Sequence, residues 1–397
     1  MRIQALRSAA LASVDEARLL RQALAARPGN HDLRLRLAGL LLELDGFAEV
    51  RELLADELST PSGSAAQLLL AAALLAARDA ADDKRAEALC ERAVQAATSG
   101  RDRAGALALQ AKALLRMGQT RPAEDLLRSA LREDPGNTAA FKRLALSLFQ
   151  ARAFGEILEL VAQLEAVGVS HTRLLAARAV ALAGLGDHDE ARSLFGYDRF
   201  VVHQSLPPPS GWSDSAAFTL ALESAIDTNR TSRRNRFGTS SRQTWRIDDP
   251  LAGDNPAISA LVAAIADIAA DYAASLDEVT HPWVRARPQD AVLRSWCVIV
   301  EGDGWEEWHT HPHGWISGGY YIRVPDAVAD GPDEAGCFAL GLPGGLAGAA
   351  AAEGVGQLVI RPQTGSLVLF PSHGYHRTYP HRGEGRRICL AFDICPA

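Results

Sequence analysis

Six of the eleven histidines lie between positions 309 and 381, and three of them fall in the run His309-Thr310-His311-Pro312-His313. Side chains in extended backbone alternate faces, so residues two apart point the same way. His309 and His311 can therefore present imidazoles to one ion. A third ligand must come from elsewhere. His376, in Phe370-Pro371-Ser372-His373-Gly374-Tyr375-His376, follows a strand-like run, and convergence of the two stretches would close a three-histidine site. Such a site leaves positions on the metal open, as substrate chemistry requires and structural zinc does not provide. Competitors for these places stand close by in the chain: His313 and Glu307 for the first pair, and His373 for His376.

The elements that would carry these residues are strands. Short β-branched and aromatic runs at 291–300, 316–324, 357–360, 366–370 and 387–394 are separated by Gly, Pro and Asp turns, which predicts an all-β sandwich or barrel. A jelly-roll double sheet suits that strand count and hides its edges. Residues 214–227 and 256–275 read as helices, and residues 341–356, nearly all Gly and Ala, read as a flexible insert. The stretch 229–246, with Arg230, Arg233, Arg234 and Arg236 and no apolar period, reads as a surface loop or an active-site flap.

Three separated motifs in this half occur in a familiar order: residues 308–322 (Trp308-His309-Thr310-His311 through Ser317-Gly318-Gly319-Tyr320-Tyr321-Ile322), Gly365-Ser366-Leu367-Val368-Leu369-Phe370-Pro371-Ser372 with His376, and Arg387-Ile388-Cys389-Leu390. Together they resemble the bacterial and phage group of iron(II)/2-oxoglutarate-dependent oxygenases over about residues 285–395. The resemblance implies that His309, His311 and His376 ligate Fe(II). It implies that Arg387 clamps the far carboxylate of 2-oxoglutarate, with Tyr321 as a second partner and Arg386 as the alternative arginine. A guanidinium grips a carboxylate bidentately, and alternation puts Arg387, Cys389 and Ala391 on one face, expected to line the barrel. In most relatives the residue at the His311 position is Asp or Glu. Three neutral imidazoles would leave the iron a full charge more positive than two imidazoles and a carboxylate.

The first half repeats. Taking Ala104, Thr138 and Thr172 as equivalent starts gives a spacing of 34 residues, and Gly118, Arg152 and Gly186 then coincide at a turn. Ala111, Ala145 and Ala179 coincide at a small-residue position, Leu114, Leu148 and Leu182 fall together, and so do Ala123, Ile157 and Ala191. Pro28-Gly29-Asn30 and Pro135-Gly136-Asn137 break the chain between units. Each unit reads as a helical hairpin that cannot bury both faces and must stack on its neighbours. The pattern resembles the tetratricopeptide repeat, which implies a right-handed solenoid that holds a peptide or another protein.

The expected fold is therefore multidomain α plus β: a helical-hairpin solenoid over 1–196, a connecting segment with helices over 197–280, and a jelly-roll domain over 281–397. The expected function is an Fe(II)- and 2-oxoglutarate-dependent dioxygenase that hydroxylates a peptide or protein captured by the repeats. The alternatives are an interaction scaffold with a degenerate metal-binding barrel and a three-histidine cupin-like metalloenzyme that does not use 2-oxoglutarate. A net charge of −7 offers no footprint for nucleic acid. Apolar runs such as 68–77 fall short of the roughly 20 residues of a bilayer span. The N-terminus lacks the apolar core of a secretory signal, so a cytoplasmic protein without a membrane partner is expected. Cys90, Cys297, Cys337, Cys389 and Cys395 form no C-x-x-C pair and read as reduced, mostly buried thiols.

Overall fold

A computed structural model describes residues 1–5, 13–55, 64–77, 79–229, 231–234, 240–277 and 280–397. The chain forms two compact units, Ser13–Val169 and the remainder, Met1–Ala12 with Ser170–Ala397.

The unit Ser13–Val169 is helical: α1 (Ser13–Ala26), α2 (His31–Glu43), α3 (Phe47–Leu53), α4 (Ser64–Ala77), α5 (Ala80–Ala96), α6 (Gly100–Arg116), α7 (Thr120–Glu133), α8 (Thr138–Gln150) and α9 (Phe154–Ala166). Each helix packs on the next in sequence, and α2, α4, α6 and α8 also pack on one another in turn, the stacking of a repeat solenoid. The Pro-Gly-Asn breaks work as helix starts. Asn30 and Asn137 cap α2 and α8, their side-chain oxygens accepting from the Leu33 and Ala140 amides at 3.0 and 2.9 Å. The repeat register also appears at the helix ends. Gly118 and Arg152 both adopt positive φ, +74° and +56°. The next amide then reaches back to the repeat leucine, Gln119 to the Leu114 carbonyl and Ala153 to that of Leu148, each at 2.9 Å. This closure uses up carbonyls that the helix leaves without partners. Ala111 and Ala145 are buried where the helices approach.

The second unit begins with α10 (Thr172–Leu185) and α11 (His188–Phe195), the hairpin that carries the last copy of the repeat. Gly186 has φ +97° there, and Asp187 donates to the Leu182 carbonyl. This hairpin and the first residues of the chain group with the strands, so the unit boundary at 169/170 differs from the expected one at 196. After α12 (Tyr197–Phe200) come α13 (Ser215–Asp227), α14 (Pro256–Ser275), α15 (Pro282–Arg285), α16 (Asp326–Ala329), α17 (Gly344–Ala347) and α18 (Ala349–Val355). By length and composition α14 could cross a membrane, with 20 residues and a mean hydropathy of 1.6. Its buried residues Ala257, Ile258, Leu261, Val262, Ile265, Ala269 and Ala273 lie along one face, as in a core helix.

The strands are β1 (Arg2–Ala5), β2 (Val202–Ser205), β3 (Ser232–Arg234), β4 (Ser241–Ile247), β5 (Asp290–His309), β6 (Ile316–Arg323), β7 (Phe338–Leu340), β8 (Leu358–Ile360), β9 (Ser366–Pro371), β10 (His376–Thr378) and β11 (Arg386–Pro396). They join in the order β2-β9-β6-β11-β5-β10-β7-β8, with β1 and β4 also on β5 and β3 on β4. The result is a nearly closed, jelly-roll-like barrel. Every pairing is antiparallel except β1 with β5. Strand β11 divides its residues by parity. Ile388, Leu390, Phe392 and Ile394 are fully buried in the core, while Arg387, Cys389, Ala391 and Asp393 take the other face. Gly318 and Gly319 of β6 are required by closeness. A Cβ on Gly318 would lie 2.4 Å from Phe392, and one on Gly319 would lie 2.7 Å from the Cys389 sulfur.

Two expectations are corrected. The stretch 229–246 is neither a loop nor a flap in its described parts, because β3 and β4 pair with each other and β4 extends the sheet along β5. Arg233 is bonded to Asp248, and Arg234 lies 5.3 Å above the Trp245 ring; Arg230 and Arg236 fall outside the described residues. The Gly/Ala stretch 341–356 is helical in α17 and α18, which pack on α10 and α11. Its small residues allow that approach: a Cβ on Gly354 would fall 2.3 Å from the His188 ring, and Arg192 donates to the Val355 carbonyl at 2.7 Å. The five cysteines are free; Cys389 is half-buried and the others are buried.

Arg152 occupies a backbone position that costs an L-residue about 1 kcal/mol and glycine almost nothing. Arg152→Gly is therefore expected to stabilise the helical repeats by about 0.5–1 kcal/mol, read as a higher urea midpoint. Asn137→Ala is expected to cost about 1 kcal/mol. A lower midpoint for Arg152→Gly would refute the end-closure reading.

Candidate metal centre

His309 ends β5, His311 stands two residues beyond it, and His376 opens β10, the strand paired with the end of β5. One nitrogen from each ring lies within 4.8 Å of the others, the arrangement needed to hold a single ion. The His309 and His311 Nε2 atoms are 3.3 Å apart, and the His309 and His376 ring centroids are 4.1 Å apart.

The opposite nitrogens are all engaged. His309 Nδ1 donates to the Glu307 carbonyl at 2.7 Å and His376 Nδ1 to the Gly374 carbonyl at 3.1 Å. A carbonyl only accepts, so these bonds put the proton on Nδ1 and leave the Nε2 lone pair bare. His311 Nδ1 donates instead to the Asp393 carboxylate at 2.5 Å. Asp393 is itself held by the Ser317 hydroxyl at 2.6 Å, and Ser317 bonds Ser372 at 2.7 Å. Such partners fix a ligand's tautomer and orientation and raise its basicity.

Charge divides the three rings. Burial, together with the neighbouring imidazoles, pushes His376 well below the ordinary imidazole range. Burial lowers His309 as well, against the opposing pull of Glu306. Burial also acts on His311, but the charge and hydrogen bond of Asp393 outweigh it and hold this ring above its usual value.

The competing residues lie elsewhere. His313 is exposed in the loop before β6. His373 is fully buried, with Nε2 2.8 Å from the Leu194 carbonyl and its ring stacked on Phe195, and burial lowers it to about 4. Glu307 turns outward to a two-bond pairing with Arg242 at 3.1 and 2.7 Å. The cause is a β-bulge: His376 pairs with His309 but Thr378 with Glu306, so three steps on β5 match two on β10. The extra residue reverses the parity before His309, and Glu306, not Glu307, is the carboxylate whose charge acts on His309 and His311. Glu306 accepts from the Ser241 hydroxyl at 2.8 Å. Burial opposes its ionisation, yet His309 and this hydrogen bond hold its pKa below the usual range.

Arg387 is buried on the site face of β11, donating to the Gly336 carbonyl and, at 3.0 Å, to the Thr378 hydroxyl. Tyr321 is buried and registers with Cys389, and its phenol is raised by burial in the neighbourhood of Cys389, Arg387 and Glu306. Arg386 points the other way and pairs with Asp227 at 2.7 Å. Sequence reading missed Asp393, Ser317, Thr378 and Glu306. Asp393 was within reach, since it continues the alternation that begins at Arg387.

Asp393→Asn keeps the shape and removes the charge behind His311. Divalent metal affinity, measured by titrating Co(II) or Ni(II) against a chelator, is expected to fall about 10–100-fold. Unchanged affinity would mean that Asp393 does not tune this ring.

No curated protein shows a significant match to the chain. Among solved structures, a prolyl-4-hydroxylase from Pseudomonas putida aligns at 13% identity and a TM-score of 0.36, over 54% of this chain and 100% of its own. A prolyl hydroxylase from Trichoplax adhaerens, in complex with a hypoxia inducible factor oxygen degradation domain peptide fragment, aligns at 11% identity and 0.35, over 53% and 91%. YrrB, described as a TPR protein with an unusual peptide-binding site, aligns at 17% identity and 0.31, over 45% and 90%. Residues 294–393 match the family model described as "Putative 2OG-Fe(II) oxygenase". That span contains His309, His311, His376, Arg387 and Asp393, so the three-histidine barrel carries a 2OG-Fe(II) oxygenase family domain.

Proposed function

We propose that the protein is an Fe(II)- and 2-oxoglutarate-dependent dioxygenase that hydroxylates a peptide or protein captured by its helical repeats. The observation that carries this reading is the convergence of three imidazoles whose outer nitrogens are already bonded, with a buried arginine on the strand that also supplies Asp393. The donor set fits the group. Three bare imidazole nitrogens suit a divalent first-row metal and leave coordination positions open. Iron(II) with 2-oxoglutarate supplies the oxidative chemistry, in which dioxygen is consumed, the keto acid becomes succinate and CO₂, and a C–H bond becomes C–OH.

In this proposal His309, His311 and His376 hold the metal. Arg387, kept in place by Gly336 and Thr378, receives the far carboxylate of the cosubstrate, with Tyr321 beside it. Burial makes such a charge-assisted bond stronger than it would be in water. The enclosing core residues Phe338 and Phe370, packed on the His376 ring at 5.6 and 4.7 Å, keep solvent from that side of the centre. The five free thiols fit a reducing compartment, and a cytoplasmic location belongs to the same proposal.

Anaerobic addition of 2-oxoglutarate to the Fe(II)-loaded protein is expected to produce a visible metal-to-ligand charge-transfer band, and its absence would overturn the reading. His376→Ala is expected to abolish succinate formation. Arg387→Ala removes a charge-assisted contact worth about 1.5–3 kcal/mol and is expected to raise the 2-oxoglutarate concentration for half-saturation of the band at least about tenfold.

A further inference from the structure

Helix α10 starts beside the metal centre. The Thr172 hydroxyl donates to the Gly314 carbonyl at 2.7 Å, which fastens the first turn to the loop between His311 and β6. The next residue, Arg173, is half-buried, and its Nε is enclosed with no hydrogen-bond partner among the described residues. Burial lowers its pKa, and the opposing influence comes from the Tyr375 phenol, not from an Asp or Glu. Other arginines of this unit with low exposure have a partner: Arg387 is bonded to Gly336 and Thr378 and Arg233 to Asp248, and Arg377, whose Nε is also without a hydrogen bond, lies over the Trp308 and Tyr379 rings at 5.0 and 4.0 Å.

The Thr172 anchor on Gly314 sets Arg173 beside the loop that follows His311, and the groups that feel its charge agree with that place. They are His171, His313 and Tyr375, and the last two lie two residues and one residue from His311 and His376. Arg294, exposed on β5, acts on His313 too. The acid acting there is Asp393, which is already committed to His311 and Ser317. A half-buried guanidinium without a counter-ion is costly, and an apolar side chain would pack in its place more cheaply. We infer that Arg173 binds a carboxylate of the substrate at the rim of the three-histidine centre, so that the substrate is an acidic peptide presenting an Asp or Glu side chain. Arg294 adds positive potential to the same rim.

This inference rests on the oxygenase reading for what happens to the bound peptide, but the charge recognition is separable from it. A carboxylate could also come from 2-oxoglutarate, and the test distinguishes the two sources. Full-length protein with Ni(II) and 2-oxoglutarate is presented with immobilised decapeptide pools, one with Asp or Glu at a central fixed position and one with Asn or Gln there. The wild type is expected to retain the acidic pool at least about tenfold better, as a charge-assisted contact would give. Arg173→Gln is expected to lose that preference and Arg173→Lys to recover part of it, a rescue that a purely structural role would not produce. Both variants are expected to bind 2-oxoglutarate within twofold of wild type. Equal or absent retention of the two pools by the wild type, or an undiminished preference in Arg173→Gln, overturns the inference. A tenfold loss of 2-oxoglutarate affinity in Arg173→Gln also overturns it, because Arg173 would then serve the cosubstrate. If the charge-transfer band forms but the acidic preference is missing, this inference falls and the oxygenase reading stands. If the acidic preference is present but the band does not form, the charge recognition stands and the oxygenase reading falls.

Discussion

Three hydrogen bonds from imidazole Nδ1 atoms hold the centre of the barrel in the state in which it can bind a cation. Two end on backbone carbonyls and one on Asp393, and each makes Nδ1 the donor and turns Nε2 toward the centre. Without them the rings could rotate or take the other tautomer, and three imidazoles this close would gain nothing from convergence. The carboxylate that the commonest non-haem iron sites place on the metal is here one imidazole farther out. With an ion held there, Asp393 would pass its charge through the His311 ring and offset part of the positive charge that three neutral ligands would otherwise leave. The same oxygen is shared with Ser317, and Ser317 with Ser372, in a buried network whose members depend on one another.

Strand β5 brings these groups together. Over its 20 residues it pairs with β1, β4, β11 and β10, so one strand spans the core pairing and the three-histidine cluster. The bulge near its end is a small local irregularity with a large chemical effect. It sends Glu307 out to Arg242 and leaves Glu306 where its charge acts on the histidines. Close approach completes the arrangement, since β6 meets β11 across Gly318 and Gly319, where there is no room for side chains.

The repeats show how a local pattern can persist while its packing partner changes. The turns after α6, α8 and α10 share positive φ and the same return bond to an equivalent leucine. These are properties of one helix end. Which surface the hairpin then covers is a separate matter, and α10 and α11 pack on α17 and α18 within the barrel unit. A period of 34 residues therefore identifies the hairpin without assigning it to a domain.

The helical hairpins, the strands β5, β6, β8, β9 and β11, the H-x-H pair, His376 and the site face of β11 were readable from residue order, because each depends on a period of 3.6 or 2 or on a cap a few residues long. The short strands β1, β2, β7 and β10 were not, being three or four residues long and too short to show a period; β8 is as short but shows as a Leu-Val-Ile run set off by Gly356 and Pro362. Nor were β3 and β4, whose arginines look like a solvated loop until Asp248 and the Trp245 ring are placed beside them. The Gly/Ala stretch carried no apolar pattern, yet its lack of side-chain bulk is what lets it pack against α10 and α11. The choice among His311, His313 and Glu307, the separation of His373 from His376, and the partners of Asp393 and Thr378 came only from the folded chain. Each depends on a partner 65 to 179 residues away or on a one-residue bulge, and neither leaves a mark on local periodicity.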